Sequence, residues 1–322
     1  MLEDKHGRIH DYLRISITDA CNLRCTYCMP DQPVFSPEEK LMSASEIISL
    51  ARIFVGLGVR KIRLTGGEPL IRRDFNEILE GLSKLNVVGL KEVTLTTNGI
   101  RLHEHLDALT DAAVRSVNIS LDTLLPERFS AIAKRDRFHQ VISNIHLLLD
   151  RQFNVKINMV VMKGVNDDEV IDFIQWTRDY PIHVRFIEFM PFEGNHWIDK
   201  RLIRTAELLD RASSFFDIES LSNSPNDTAR AFKVLGYSGT FAFISTMSEP
   251  FCGGCNRIRL TADGKIRNCL FSRNELDLLG TLRIGRDVRS LIMQSLGEKS
   301  KKWGGQELFS NPENRPMVAI GG

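Results

Sequence analysis

Short runs of β-forming residues recur along the first two thirds of the chain, and helical patterns separate them. The predicted strands are 12–18, 60–65, 92–97, 115–121, 154–162 and 183–189. Ser43 and Glu46 predict a capping box at the start of the first helix, and Phe138–Asp150 has the apolar spacing of another. Alternating strands and helices are typical of α/β proteins with a parallel sheet.

One face of these strands is polar, whereas buried parallel strands usually read as continuous apolar runs. The alternating polar positions are Arg14, Ser16, Thr18, Lys61, Arg63, Thr65, Asn118, Ser120, Lys156 and Asn158. If helices cover the apolar face, the polar face lines a hydrated or ligand-filled interior, which favours an open or partial barrel. An antiparallel sheet with one wet face is the alternative.

The pattern changes after about Asn195. A turn-rich stretch at 222–227 precedes three regions, 229–235, 240–246 and 256–270, that predict short antiparallel strands. We therefore expect two parts, a barrel at 1–220 and a C-terminal segment at 221–322.

Composition narrows the class of protein. The 322 residues are 43% hydrophobic and 26% charged, which excludes disordered, collagenous and coiled-coil proteins. The net charge of +1 gives no reason to expect a nucleic-acid or membrane surface. With no signal-like N-terminus and no 18-residue apolar run, the expected location is the cytoplasm. Cysteines in that reducing compartment suit metal binding or catalysis better than disulfides.

The six cysteines form two sets of three, Cys21, Cys25 and Cys28 near the start and Cys252, Cys255 and Cys269 near the end. Structural zinc takes four protein ligands, so each set is one short, although a distant residue could complete a zinc site. Three thiolates on a four-iron cluster would leave one iron open for a ligand. The first set follows the first strand, at the end where parallel α/β folds place their active sites.

Asp263-Gly264 predicts a tight hairpin turn in the second cysteine region. Counting back from that turn places Cys269 opposite Ile258, close to Cys255 and Cys252. The three thiols can then meet, either around an open iron-sulfur cluster or in a small zinc-stapled hairpin.

The first cysteine set, with Tyr27 inside it and Thr65-Gly66-Gly67-Glu68-Pro69 after the second strand, resembles the radical S-adenosylmethionine superfamily. Further motifs resemble its GTP 3',8-cyclase family (MoaA), which opens molybdenum cofactor biosynthesis. These motifs are Thr96-Thr97-Asn98-Gly99, Asn118-Ile119-Ser120-Leu121-Asp122, residues 185–190, residues 252–259 and the closing Ile320-Gly321-Gly322.

The resemblance implies a partial (β/α)6 TIM-type barrel whose open side is closed by a C-terminal segment containing antiparallel strands. It implies a lyase with two 4Fe-4S clusters, one on each cysteine set. Reductive cleavage of S-adenosylmethionine at the first cluster would give a 5'-deoxyadenosyl radical that removes hydrogen from C3' of GTP. Bonding of C3' to C8 would give (8S)-3',8-cyclo-7,8-dihydroguanosine 5'-triphosphate.

The resemblance also assigns contacts residue by residue. The S-adenosylmethionine positions are Tyr27, Gly67, Ser120 and Met190, although Met190 alone would suggest core packing. The GTP positions are Arg14, Arg63, Thr96, Lys156, Arg257, Ile258 and Arg259, although strand cations alone could be solvated edge residues. Gly321 and Gly322 would reach into the cavity and assist catalysis. Without the resemblance, this glycine tail would be interpreted as a frayed end of the chain.

The implied partners are an electron donor such as flavodoxin or ferredoxin and the downstream cyclic pyranopterin monophosphate synthase, and a homodimer is compatible with the sequence. Two other functions stay open: a radical enzyme that modifies peptides with an auxiliary cluster, and a zinc-binding module without activity. A Rossmann-type methyltransferase lacks support, because Gly66-Gly67 does not have the dinucleotide-binding glycine spacing. The loop Asp31 to Lys40 receives no role.

Overall fold

The computed structural model describes residues 1–222, 224–307, 309 and 314–321. Its strands are β1 (Tyr12–Ser16), β2 (Lys61–Thr65), β3 (Glu92–Thr97), β4 (Ser116–Ser120), β5 (Asn154–Val161), β6 (His183–Glu188), β7 (Ile218–Ser220), β8 (Arg230–Val234), β9 (Thr240–Ile244), β10 (Arg257–Leu260), β11 (Lys265–Arg267) and β12 (Leu276–Asp277). Its helices are α1 (Ala44–Gly56), α2 (Phe75–Ser83), α3 (Leu106–Asp111), α4 (Pro126–Ala133), α5 (Phe138–Asp150), α6 (Val170–Trp176), α7 (Thr205–Ser213), α8 (Leu278–Arg283), α9 (Arg289–Gly297) and α10 (Met317–Ile320).

The first six strands lie side by side in chain order, and each pair is parallel. Helices connect them, as the α/β prediction requires. The predicted helix α5 is confirmed, and α1 begins with the predicted capping box between Ser43 and Glu46. The expected open, barrel-type sheet is therefore confirmed, and an antiparallel sheet is excluded.

The C-terminal strands do more than cover an opening. Strand β10 pairs in parallel with β1, and β9 pairs in parallel with β6, so they extend both edges of the same sheet. Only their outer partners, β11 and β12 on one side and β8 and β7 on the other, run antiparallel. The sequence predicted the antiparallel hairpins but not these parallel pairings, because strand-to-strand partners far apart in the chain leave no local pattern.

The register of the β10–β11 hairpin corrects the prediction made from Asp263-Gly264. Arg259 pairs with Arg267, which places Cys269 opposite Arg257 instead of Ile258. The loop has three residues, because the Thr261 amide donates to Lys265 O at 2.9 Å and Gly264 takes a left-handed φ of 70°. A three-residue loop closed by a left-handed glycine shifts the register by one from a two-residue turn.

The apolar strand faces pack against the helices in one large core, and the polar faces point to the other side. Leu13, Ile62, Leu95 and Ile157 are fully buried in that core. None of the described residues forms a helix long and apolar enough to cross a membrane. The fold thus places the polar strand faces around an interior cavity.

Candidate functional site

A cavity of about 440 Å³ lies on the polar side of β1 to β6, and segments after β7 and β9 contribute to its wall. Its lining brings together most of the residues singled out in the sequence. These are Arg14, Cys21, Cys25, Tyr27, Cys28, Arg63, Gly67, Thr96, Ser120, Lys156, Met190, Arg257 and Arg259.

The first cysteine set lies in the loop after β1, and backbone hydrogen bonds fix that loop to the end of α4. The amides of Arg24 and Thr26 donate to Ala133 O and Ile132 O at 2.9 and 3.1 Å. Burial raises the pKa of the Cys21 thiol to about 11, and it also raises the pKa values of Cys25 and Cys28. These thiols therefore keep their protons until a metal centre replaces them.

Gly67 sits where the segment after β2 crosses the start of that loop. A Cβ at Gly67 would lie 2.2 Å from Ala20 O, so no side chain fits there. The next residue, Glu68, is buried and accepts hydrogen bonds from Leu70 N at 3.0 Å and Asn98 N at 2.7 Å. Burial raises the pKa of Glu68 to about 7. This motif therefore holds the segment after β2 and the end of β3 together beside the cysteines.

Tyr27 and Met190 lie on the cavity wall at the cysteine end. The Tyr27 hydroxyl donates to Asp122, whose pKa burial raises to about 6. Met190 is 9% exposed and also packs with Phe192 and Ile320. Met190 thus packs in an apolar cluster and also lines the cavity, so its position agrees with both interpretations.

The other end of the cavity is strongly cationic. Arg14, Lys61, Arg63, Lys156, Arg185, Arg257 and Arg259 all line it. Burial, together with the charges of the neighbouring Arg185, Arg63 and Lys61, lowers the pKa of Lys156 to about 8. A polyanionic ligand would remove the repulsion that these side chains exert on one another.

Several contacts orient these cations. The Arg63 guanidinium donates to Thr96 Oγ1 at 3.4 Å, and Arg185 Nε donates to Asn158 Oδ1 at 2.8 Å. The sequence analysis gave Arg185 no role, although its side chain faces the cavity from β6, as those of the other strand cations do from their strands. The alternation of Arg185 with the buried residues Val184 and Phe186 could have identified it.

Ile258 departs from its predicted place. Its side chain is fully buried in the apolar core next to Leu13, whereas Arg257 and Arg259 on either side of it face the cavity. Successive strand residues point to opposite faces, so Ile258 offers no side chain to a ligand in this cavity.

The second cysteine set surrounds the start of β10. Cys252 opens a 3-10 turn that ends at Gly254, and the Cys255 amide donates to Cys252 O at 3.3 Å. Burial raises the pKa of the Cys255 thiol, but the Arg257 and Lys299 charges outweigh it and lower that pKa to about 6. Burial raises the pKa of Cys252, so the lowered pKa is a feature of Cys255, beside the two cations.

Two residues that the sequence did not single out support this second set. The Arg8 guanidinium donates to Cys252 O at 2.8 Å, and the buried Lys299 ammonium donates to Cys255 Sγ at 3.7 Å. Neither lies near a cysteine in the sequence, and only the fold brings them there.

Each cysteine set offers three free thiols, which are the ligands that iron-sulfur clusters take. The first set lines the cavity, whereas the second set is represented in the lining by its sequence neighbours Phe251, Asn256 and Leu270.

The C-terminal tail reaches the cavity interior. Arg259 Nη1 donates to Gly321 O at 2.7 Å, and a Cβ at Gly321 would lie 2.8 Å from the Ser16 Cβ. Gly321 also has a left-handed φ of 79°. Gly322 lies outside the described residues.

Two family models match the chain. The model described as the radical SAM superfamily matches residues 15–177, and the model described as Molybdenum Cofactor Synthesis C matches residues 182–304.

Curated relatives match over nearly the whole chain. It is 47% identical to the mitochondrial GTP 3',8-cyclase of Arabidopsis thaliana, covering 100% of this chain and 84% of that protein. It is 38% identical to the GTP 3',8-cyclase of Listeria monocytogenes, covering 100% of this chain and 99% of that protein. The human Molybdenum cofactor biosynthesis protein 1 is 45% identical, and there the chain spans only about half of the relative's length, 51%.

Solved structures support the fold. The structure of Streptococcus suis SuiB bound to S-adenosylmethionine superposes with a TM-score of 0.62 at 14% identity, covering 95% of this chain and 68% of that one. Native anSMEcpe with bound AdoMet gives a TM-score of 0.59 at 17% identity, covering 90% of this chain and 81% of that one.

Proposed function

The chain belongs to the GTP 3',8-cyclase family of the radical SAM superfamily, and from that membership we propose that it converts GTP to 3',8-cyclo-7,8-dihydroguanosine 5'-triphosphate. The reaction makes it a lyase in molybdenum cofactor biosynthesis. The observation that supports this most strongly is one cavity with three cysteines at one end and seven cationic side chains at the other.

Radical SAM proteins use S-adenosylmethionine and a 4Fe-4S cluster, and Cys21, Cys25 and Cys28 are the proposed ligands of that cluster here. When bound together, the cluster and S-adenosylmethionine supply the radical that removes hydrogen from C3' of GTP. Gly67 lets the backbone approach the cofactor closely, and Tyr27, Ser120 and Met190 border its space.

The cationic end is proposed to hold the GTP triphosphate. Arg14 and Arg63 project from the neighbouring strands β1 and β2, and Lys156 projects from β5 into the same cavity, so phosphate oxygens can take several charge-assisted hydrogen bonds at once. Thr96 accepts from Arg63 and thereby fixes the direction of that guanidinium. Binding at this end would direct the rest of the nucleotide toward the first cysteine set, which lines the same cavity.

Cys252, Cys255 and Cys269 are the proposed ligands of a second 4Fe-4S cluster, which would supply a binding position for the guanine base. Arg257 supports this placement, because it lines the cavity and also donates to Cys255 Sγ at 3.8 Å. Arg259 fixes the tail at Gly321, which we propose closes the site from the C-terminal side and assists catalysis.

The remaining partners are also proposals. An external one-electron donor such as flavodoxin or ferredoxin is required by the chemistry, and cyclic pyranopterin monophosphate synthase would consume the product. A peptide substrate is less well supported, since the relatives that match at 38% identity or more over the whole chain are named for GTP or for the cofactor pathway.

The test is an anaerobic reaction of iron-reconstituted protein with GTP, S-adenosylmethionine and a strong reductant, analysed by mass spectrometry. We expect 5'-deoxyadenosine together with a cyclised nucleotide of unchanged mass. Deoxyadenosine formed while GTP stays intact would refute the substrate and retain only the radical chemistry.

Lys156 makes GTP affinity dependent on pH. Its pKa is lowered to about 8, so the free side chain loses its proton, and its attraction for phosphate, as pH rises through that value. We expect GTP binding, measured by anaerobic calorimetry, to be tighter at pH 7.5 than at pH 9.5. Lys156→Arg keeps its charge over this range and should reduce the difference. An identical pH response in both proteins would contradict this role of Lys156.

A further inference from the structure

Lys299 is a buried cation held by backbone carbonyls and a cysteine sulfur. The residue is 2% exposed, and it follows α9 by two positions in the chain. Its ammonium donates to Arg257 O at 3.0 Å, to Asn268 O, and to Cys255 Sγ at 3.7 Å. Among the residues that the structure describes, no Asp or Glu forms an ion pair with it.

A buried ammonium is costly unless an opposite charge lies close to it. Carbonyl oxygens satisfy its hydrogen bonds but do not neutralise it. Cys255 Sγ, 3.7 Å from the ammonium, can supply that negative charge as a thiolate or as a ligand of an anionic cluster. The Lys299 ammonium and the second cysteine set are thus electrostatically complementary.

The position of Lys299 also links the two sides of the hairpin. Arg257 begins β10, two residues after Cys255, and Asn268 directly precedes Cys269. By binding the carbonyls of both residues, one ammonium sets the separation of the two chain segments that carry these cysteines.

The first cysteine set has different surroundings. Burial and then the Glu68 charge raise the pKa of Cys21, whereas the Arg24 charge lowers it. The first set thus lies beside an acid and an arginine, whereas Cys255 of the second set contacts the Lys299 ammonium.

We propose that Lys299 is a positioning residue for the second cluster, holding the Cys255 and Cys269 segments together and supplying the positive charge that raises the reduction potential of that cluster. The proposal rests on the second cluster of the proposed function. Positive charge and N–H donors near the sulfurs make reduction easier, because reduction adds negative charge.

The experiment compares Lys299→Met and Lys299→Gln with the unchanged protein after anaerobic reconstitution. Lys299→Gln keeps a donor for the carbonyls but removes the charge. Lys301→Met is the matched control, because Lys301 is exposed and two residues away. Iron content, electron paramagnetic resonance of each cluster and redox titration are measured, with circular dichroism to verify folding.

We expect both Lys299 variants to move the potential of the second cluster to more negative values, or to lose that cluster, while the first cluster and the control stay unchanged. An unchanged second-cluster potential in Lys299→Gln would overturn the proposed charge effect. Equal loss of both clusters, or an unfolded chain, would overturn it as well and assign Lys299 a general structural role. If the unchanged protein binds a single cluster, the second cluster of the proposed function is refuted. That result comes from the unchanged protein and is therefore distinguishable from any effect of the variants.

Discussion

Cys269→Ala is expected to abolish cyclisation of GTP while leaving reductive cleavage of S-adenosylmethionine. Cys269 lies past the end of β11, on the opposite side of the hairpin from Cys255, and its loss would leave two thiols for the second cluster. The first cysteine loop is fixed by backbone hydrogen bonds to α4, to the segment after β2 and to Val318 of α10, and the Cys269 side chain takes part in none of these bonds. Product analysis by mass spectrometry and iron content, expected to fall by about half, measure the effect.

The matching variant is Cys28→Ala, which is expected to stop both reactions, since it removes a ligand from the first cluster. The two variants together separate the roles of the cysteine sets. Normal cyclisation by Cys269→Ala would refute the second cluster, and loss of deoxyadenosine formation in that variant would show that the two sites are not independent.

Arg257→Ala is expected to weaken GTP binding by about ten- to a hundredfold and S-adenosylmethionine binding far less. The side chain lines the cationic end of the cavity and lies over the Phe251 ring at 4.7 Å. A hydrogen bond to a charged group contributes about 1.5–3 kcal/mol, and that range corresponds to the expected change in Kd. Anaerobic titration of each ligand against the same protein preparation measures the two affinities.

Arg289→Ala serves as the control for lost positive charge, because the Arg289 side chain is 57% exposed on α9, where it pairs with Asp287. It should leave both affinities unchanged. Equal weakening of both ligands by Arg257→Ala would indicate a distorted cavity instead of a lost contact with GTP.

Local sequence signals predicted the parts of the fold that depend on neighbouring residues. The alternating polar residues in β1, β2, β4 and β5 predicted an interior lined by polar side chains. The side chains of Arg14, Arg63 and Lys156 do line one cavity. The capping box predicted the start of α1. Such features succeed because strand alternation and helix capping are set within a few residues.

What the sequence missed depends on residues far apart in the chain. Lys299 and Arg8 meet the second cysteine set only after the N-terminal segment and the region after α9 fold against the hairpin. The one-residue error at Cys269 had a local cause, because Asp-Gly occurs in both two- and three-residue hairpin loops. Ile258 was assigned with its neighbours, although alternation in β10 separates it from them.

The pairing of β1 with both β2 and β10 has a consequence for how the protein is made. Tyr12 faces Lys61 on one side and Arg257 on the other, so one edge of β1 lacks its partner until almost the whole chain has left the ribosome. Closing so long a loop is slow, and an unpaired strand edge can join another chain in the meantime. During synthesis, the edge of β1 that β10 later covers is therefore open to pairing with another chain until β10 has been made.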